Sequence, residues 1–388
     1  MEKRKNVPVV GLRESISYLE TWLDQAEGLA RDIRQRSEAE GIQSFFTIAS
    51  TVKVRENSSP FLTPIRRLSH GFIGGAVVFS QTQAVLLSKR IDGLVDHILV
   101  DAEKKIGINL GFDEYVLQHF NLEHPVEKHN ARVHVELGNL TAACQPLISK
   151  SLYGEYKPND MTVEAVWHFL AQRFGELGGK KVAIIGSGNI GFKLGLKLVE
   201  SGTDVELVRR DMGRCMLMAD VINITKPQST MASAKYNSSP LHAALFCDAL
   251  IGCTSGSAAI TTEMIQAIKP NGIVIDVGKG SIHADAVLYA VENDVPIIRC
   301  DISSAMDGLI STFRRNQMIM SRELGRREVE PGLFVVSGGY LGLVDDIVVD
   351  NYLVPSQIIG VCDGMGDLKE SPSPTDVERL TILKKGIN

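Results

Sequence analysis

Residues 180–214 read KKVAIIGSGNIGFKLGLKLVESGTDVELVRRDMGR. Residues 182–185 form a short apolar run with β-branched Val182, Ile184 and Ile185, which fits a strand buried on both faces. Gly186-Ser187-Gly188-Asn189-Ile190-Gly191 follows at once and matches G-x-G-x-x-G. In that fingerprint the first glycine makes the turn and the second lets a pyrophosphate approach the backbone. The third lets the helix pack closely on the strand. A helix is expected over 190–201, with Ile190, Leu194, Leu198 and Val199 on one side and its free N–H groups turned to the phosphates. Residues 205–208 supply a second strand. A bare glycine pattern could merely pack a βαβ unit, but this context points to dinucleotide binding.

The end of that second strand selects the cofactor. Sites for NAD place Asp or Glu there, to accept from the ribose hydroxyls. Here the count from Gly186 reaches Arg209 and Arg210, and Arg214 lies one helical turn beyond Arg210. Guanidinium groups suit a dianionic 2′-phosphate, so NADP is expected ahead of NAD. Asp211 would repel that phosphate unless it points away, and the alternative is a solvated basic turn.

Downstream, strand and helix continue to alternate: strands at 245–252, 273–277 and 296–300, helices at 262–268 and 283–293. That makes about five parallel strands, the size of a nucleotide-binding domain. Cys253, Thr254 and Ser255 fall at one strand end and Asp276, Val277, Gly278 and Lys279 at another, where ligands collect in open α/β sheets. Their expected work is to border the cofactor. Cys253 as a nucleophile lacks an identifiable histidine partner, and Asp276 has a plainer reading as the cap of its loop.

Upstream, residues 12–36 carry Leu12, Ile16, Leu19, Leu23, Ala26, Ala30 and Ile33 at three- and four-residue intervals, a helix pattern. Such a helix either covers a sheet or pairs two copies of the chain. Strands are expected at 45–54, 74–79, 97–100 (ending in Asp101) and 131–137, a helix at 81–89, and a loop at 56–60. The composition changes from Tyr153, and GEYKPNDM (154–161) reads as a turn-rich connector, with Asp160 or Thr162 able to cap a helix over 163–174. Past the nucleotide-binding domain, 311–330 is a basic helical stretch, 333–336, 347–349 and 357–361 are possible strands, and the last twenty residues read as a loosely held tail. The expected architecture is α/β: an α/β substrate domain over 1–157, a doubly wound Rossmann domain over 158–310, and a C-terminal segment over 311–388 that packs back on the cleft or on the first domain.

A resemblance extends this reading. RRDMGR (209–214) resembles the N-R-T-x-x-R adenosine-phosphate motif of shikimate dehydrogenases, with Arg210 and Arg214 nearest its arginines. Arg209 and Asp211 depart from it, and the arginine spacing is one residue longer. DALIGCTSGS (248–257) is similar to the segment bordering the cofactor in that family, and GIVIDVGKGS (272–281) resembles the VVIDVG strand of methylenetetrahydrofolate dehydrogenases. PND (158–160) sits where shikimate dehydrogenases carry the Asp of N-T-D, which works with a lysine as acid and base. The resemblance covers about 158–305 and implies two α/β domains with an active site in the cleft between them. It makes Asp160 the expected acid/base residue. Among Lys53, Lys89, Lys104 and Lys128, Lys53 is the expected lysine because it ends a predicted strand. Neither the S-x-S-P nor the V-T-x-P-x-K signature occurs before 158, so substrate identity does not carry over.

The expected function is therefore an NADP-dependent oxidoreductase that moves hydride to or from a small polar substrate at a C–O or C–N bond. The alternatives are the C–N chemistry of a folate-type dehydrogenase/cyclohydrolase, and a non-catalytic NADP(H)-sensing or dimerisation module. With 44% apolar and 22% charged residues and a net charge of −5, the chain offers no surface for nucleic acid. No apolar run reaches membrane-spanning length, and the N-terminus lacks the apolar stretch of a signal peptide. The six cysteines contain no C-x-x-C pair and read as reduced thiols, so a cytoplasmic homodimer is the expected form. His119, His124, His129 and His134 recur every five residues, which places them on no common face and argues against a metal site.

Overall fold

A computed structural model of the chain describes residues 12–51, 60–103, 119, 139–254, 256–337 and 339–387. Lys53, Lys104, Lys128, Ser255 and the expected strand at 131–137 lie outside the described residues, as does most of the 56–60 loop. Two compact units divide the chain after Asp307.

The first unit opens with helix α1 (Leu12–Glu40), followed by β1 (Gln43–Ser50), β2 (Phe61–Leu68), β3 (Gly71–Val78), helix α2 (Gln81–Ile91) and β4 (His97–Asp101). A short helix α3 (Leu140–Cys144) precedes β5 (Leu152–Tyr156). These strands form one sheet in the order β2-β3-β1-β4-β5, parallel except for β2. Ile16, Leu19, Leu23, Ala26, Ala30 and Ile33 are all buried, with Trp22 beside them. From Leu19 to Ile33 these residues share a core with Phe46 and Ile48 of β1 and Ile98 and Val100 of β4. The apolar stripe of α1 thus covers its own sheet, the first of its two readings. Strand β2 carried no strand signal because Pro64 interrupts it. An antiparallel edge strand tolerates that proline, and the register shifts between Thr63 and Arg66. The turn-rich connector is also corrected: its first residues are β5, paired in parallel with β4.

Helix α4 (Pro158–Phe174) leads into the second sheet. It is built from β6 (Lys181–Ile185), α5 (Asn189–Glu200), β7 (Asp204–Val208), α6 (Met212–Thr225), β8 (Ala234–Tyr236) and α7 (Pro240–Ala244), then β9 (Ala249–Gly252), α8 (Thr262–Gln266), β10 (Ile273–Asp276), α9 (Ala284–Glu292) and β11 (Ile297–Arg299). All six strands are parallel, in the order β11-β10-β9-β6-β7-β8, which is the doubly wound Rossmann arrangement. The expected five strands become six. The addition, Ala234–Tyr236, is too short to show a pattern. The expected strand at 245–252 begins only at Ala249, because the chain turns at Phe246 with a φ of 52°. Val182 and Ile184 join one core with Leu194, Leu198 and Val199, while Ala183 and Ile185 join a second core on the opposite face. Each fully buried leucine there contributes about 1.5–3 kcal/mol.

Helix α10 (Ser303–Met318) carries the chain across the division at Asp307. The second unit holds a four-stranded sheet of β12 (Gly325–Glu330), β13 (Leu333–Ser337), β14 (Ile347–Val349) and β15 (Ile358–Val361), in that order. The basic stretch 311–330 is therefore not one helix: it passes through a π-helical turn at Ile319–Glu323 and ends as a strand. The expected loose tail is a helix, α11 (Pro374–Gly386). Ser373 and Asp376 form a reciprocal capping box at its start, and Leu383 is buried with Leu333, Val335 and Ile347. Serine, proline and an acid in SPSPTD were its start signal.

Candidate functional site

The glycine turn sits at the carboxyl end of β6, hydrogen-bonded to the end of β7. Gly186 N and Ser187 N donate to Val208 O at 2.9 and 3.1 Å. Gly186 has a φ of 100°, and a Cβ there would lie 2.7 Å from Thr254 N, so backbone from the β9 end closes one side of the turn. A Cβ on Gly191 would meet Gly186 O at 3.0 Å and Ile184 Cγ2 at 3.1 Å, the close helix–strand approach read from sequence. Gly188 differs from both. A Cβ there would meet nothing within 4 Å, and Gly188 caps α5 without any side-chain hydrogen bond. The amino end of α5 therefore presents bare backbone to open space, the form that suits a pyrophosphate.

The neighbouring strand ends close around it. Cys253 N donates to Ile185 O at 2.7 Å, and Val277 N and Gly278 N both donate to Gly252 O at 2.9 Å. A Cβ on Gly278 would lie 2.0 Å from Thr254 O, so these two turns touch through backbone. Thr254 Oγ1 donates to Ser257 O at 2.6 Å. Asp276 accepts from Gly280 N at 2.8 Å and Ser281 N at 3.2 Å, so it caps its own loop as in its plainer reading. Burial, aided by Cys300 and Asp276, pushes the Cys253 thiol up to about 12. It stays protonated at neutral pH and is no nucleophile.

The arginines separate into different settings. Arg209 Nη1 donates to Ser187 O at 2.7 Å, which pins the guanidinium under the glycine turn. Arg210 and Arg214 are exposed. Asp211 is turned toward the start of α6, where it accepts from Arg214 N at 3.1 Å and lies 3.4 Å from Arg214 Nε. The acid that would repel a phosphate is thus engaged as a helix cap.

A second set of residues gathers at the carboxyl edge of the first sheet. Asp101, only 1% exposed, ends β4 beside Ser50 of β1 and Tyr156 of β5. Its Oδ2 accepts from Ser50 N at 3.0 Å and Ser50 Oγ at 2.7 Å, and its Oδ1 from Glu103 N at 2.8 Å. Burial, with Asp101 close by, pushes the Tyr156 hydroxyl well above its ordinary range. Glu103 Oε1 in turn accepts from Asn159 N at 3.1 Å.

Asn159 and Asp160 lie in the first turn of α4, and that turn joins the two edges. Asn159 Nδ2 donates to Asn189 Oδ1 at 3.4 Å, and Asp160 is ion-paired with Lys193 of α5. Asp160 is no helix cap, since the helix begins two residues earlier, at Pro158. Sequence reasoning passed over Ser50, Glu103, Tyr156 and Lys193. The one available signal was a pair of acids, Asp101 and Glu103, directly after an apolar strand, where open α/β sheets place ligands.

Nothing in these elements has the length and apolarity to cross a membrane: among the described residues, no helix qualifies. Also among the described residues, no group of His, Cys, Asp and Glu could hold a metal ion. Of the evenly spaced histidines only His119 is described, 3.3 Å from Glu20.

No family model and no curated protein matches the chain. Solved structures do. A dipicolinate synthase subunit from Bacillus halodurans is 11% identical with a TM-score of 0.31, over 61% of this chain and 71% of that one. Hetero-hexameric glutamate dehydrogenase from Thermus thermophilus is 15% identical with a TM-score of 0.35, over 71% and 68%. Ornithine carbamoyltransferase from Thermus thermophilus is 14% identical with a TM-score of 0.34, over 78% and 96%. These likenesses assign no residue a role, and none is to the shikimate or methylenetetrahydrofolate dehydrogenases.

Proposed function

We propose that the chain is an NADP-dependent oxidoreductase that moves hydride to or from a small polar substrate at a C–O or C–N bond. The observation that carries the reading is Gly188, the only one of the three fingerprint glycines whose missing side chain leaves open space, at the uncapped start of α5. Bound NADP(H) would supply the hydride chemistry. The residues that would hold it are the backbone of 186–191 at the pyrophosphate, Arg210 at the 2′-phosphate, and Cys253, Thr254, Val277 and Gly278 along the strand ends. Arg209 acts at one remove by fixing the Ser187 carbonyl, and Arg214 supplements Arg210.

Polar groups for the substrate come from Glu103, just after β4, and from Asn159 in the first turn of α4, which reaches Asn189 at the α5 start. Asp101 serves as scaffold, because its two oxygens already take three hydrogen bonds. The proton that accompanies hydride transfer is assigned to Asp160. The ion pair with Lys193 holds that carboxylate in position to accept a proton from an alcohol or amine in the oxidative direction. Fluorescence titration with NADPH and NADH tests the cofactor, and failure of either to bind removes the reading. Consumption of NADPH with keto acids, imines and cyclic ketones then tests turnover. Binding without turnover on any of them supports the NADP(H)-sensing alternative.

A further inference from the structure

A pocket of about 330 Å³ opens at the amino edge of the Rossmann sheet, the edge away from the glycine turn. Lys180 directly precedes β6, Asp248 directly precedes β9, and Lys269 and Pro270 lie in the turn before β10. Those three strands are parallel neighbours, so their starts come together. Arg173 and Phe174, the last two residues of α4, supply another wall. Lys180 and Gly186 bracket β6, so about 20 Å of strand separates this pocket from the expected pyrophosphate. We infer that the pocket binds a small organic dianion, a ligand distinct from the cofactor.

The charges select that class. Arg173, Lys180 and Lys269 line the pocket, and among the described residues its lining holds one carboxylate, Asp248, which leaves two positive charges in excess. Asp248 is only 8% exposed, and its Oδ2 accepts from Lys181 N and from Lys269 Nζ, each at 2.8 Å. Lys269 is therefore spent on that acid. Lys180 is not: its Nζ lies 4.0 Å from Asp248 Oδ1, beyond hydrogen-bond reach, and 5.2 Å from the centre of the Phe174 ring. Among the described residues Arg173 has no acidic partner. A guanidinium can take two oxygens of a carboxylate or phosphate at once, and an ammonium meets such a group as a point charge. Phe174 and Pro270 offer an apolar wall to the carbon body of the ligand, and the volume suits a small molecule better than a bare oxyanion. A cation in the last turn complements a helix dipole, which accounts for Arg173 but for neither Lys180 nor the cavity.

A phosphate monoester and a dicarboxylate share this chemistry, and calorimetric titration of the full chain separates them. Phenyl phosphate and phthalate, both ring-bearing dianions at about pH 7.5, are the probes, and the tighter one names the source. Benzoate, with the same ring and one charge, should bind at least about tenfold more weakly than the tighter dianion. Arg173→Ala and Lys180→Ala should each weaken that dianion about fivefold or more with unchanged circular dichroism. Lys235→Ala, exposed on the edge strand β8, should not. Saturating NADPH and Arg210→Ala should both leave the dianion affinity unchanged. A chain that binds the dianion but not NADPH keeps this site and loses the cofactor reading. No saturable binding of either dianion below about 10 mM overturns the proposal, as does benzoate bound equally well. So does binding that NADPH displaces, or that both Arg173→Ala and Lys180→Ala leave intact.

Discussion

The two sheets of the first unit present opposite chemistry at their carboxyl edges. At the carboxyl edge of the Rossmann sheet the structure is made by residues that lack side chains. Gly186, Gly191, Gly252 and Gly278 sit where a Cβ would strike neighbouring atoms, and Gly188 sits where it would not. At the carboxyl edge of the first sheet the same geometry is filled by side chains: Asp101 bonds to Ser50 and to the Glu103 backbone, Tyr156 lies beside Asp101, and Glu103 bonds to the start of α4. A backbone edge suits a ligand part common to many proteins, such as a pyrophosphate. An edge of side chains suits a particular substrate. One turn of helix, at Asn159 and Asp160, holds the two together.

That contrast can be broken by substitution. Gly186→Val should have the largest effect, because it combines a left-handed φ with collision against Thr254 backbone. A cost of about 3 kcal/mol or more in urea denaturation is expected, with loss of cofactor binding as a consequence of misfolding. Gly188→Ala should separate binding from folding. Stability should stay within about 1 kcal/mol of the parent, since the site is open and only the cap preference changes. A stability loss clearly greater than that, with NADPH binding intact, would show that Gly188 is structural like its neighbours. On the other edge, Asp101→Asn replaces one of two accepting oxygens with an amide donor that faces other donors. A destabilisation of about 1–3 kcal/mol is expected, with NADPH affinity unchanged in the folded protein. A drop in NADPH affinity would mean that the two edges are not separable.

Arg210→Ala should weaken NADPH about tenfold and leave NADH within about twofold, the signature of a charge-assisted contact to the 2′-phosphate. Arg214→Ala should do the same more weakly, and equal losses for both cofactors would refute the phosphate assignment. The smallest effect concerns pH. Asp301 bonds to Ser303 and to Arg66 of β2, and these partners, the Ser303 hydroxyl foremost, hold its carboxyl below the usual range. A depressed folded pKa means that this stabilisation is fully present above the unfolded value of about 3.9. It is lost as pH falls through the lower folded value. Arg66→Ala should flatten that part of the acid-unfolding curve, and an unchanged curve would remove the link.

The same contrast explains what could be read from sequence. Glycines at fixed spacing leave a strong trace, since no other residue fits Gly186 or Gly278. The strands β6 and β10 announced themselves as β-branched runs. Strand β2 did not, because its Pro64 is tolerated only at a sheet edge, and β8 is too short to carry a period. The side-chain edge was hidden because Ser50, Asp101 and Tyr156 lie far apart in the chain, and only the order β1-β4-β5 brings them together. Asp160 was found, but Lys193 was not. Its place depends on how α4 lies against α5, which local pattern does not specify.

The most direct measurement is a pair of NADPH titrations, on the natural chain and on Gly188→Ala, each checked for folding by its urea midpoint. Saturable binding to the natural chain, tighter than NADH, is expected, with at least about a tenfold loss in a Gly188→Ala protein that unfolds near the parent midpoint. Equal NADPH binding by both proteins, or none by the natural chain, would contradict it.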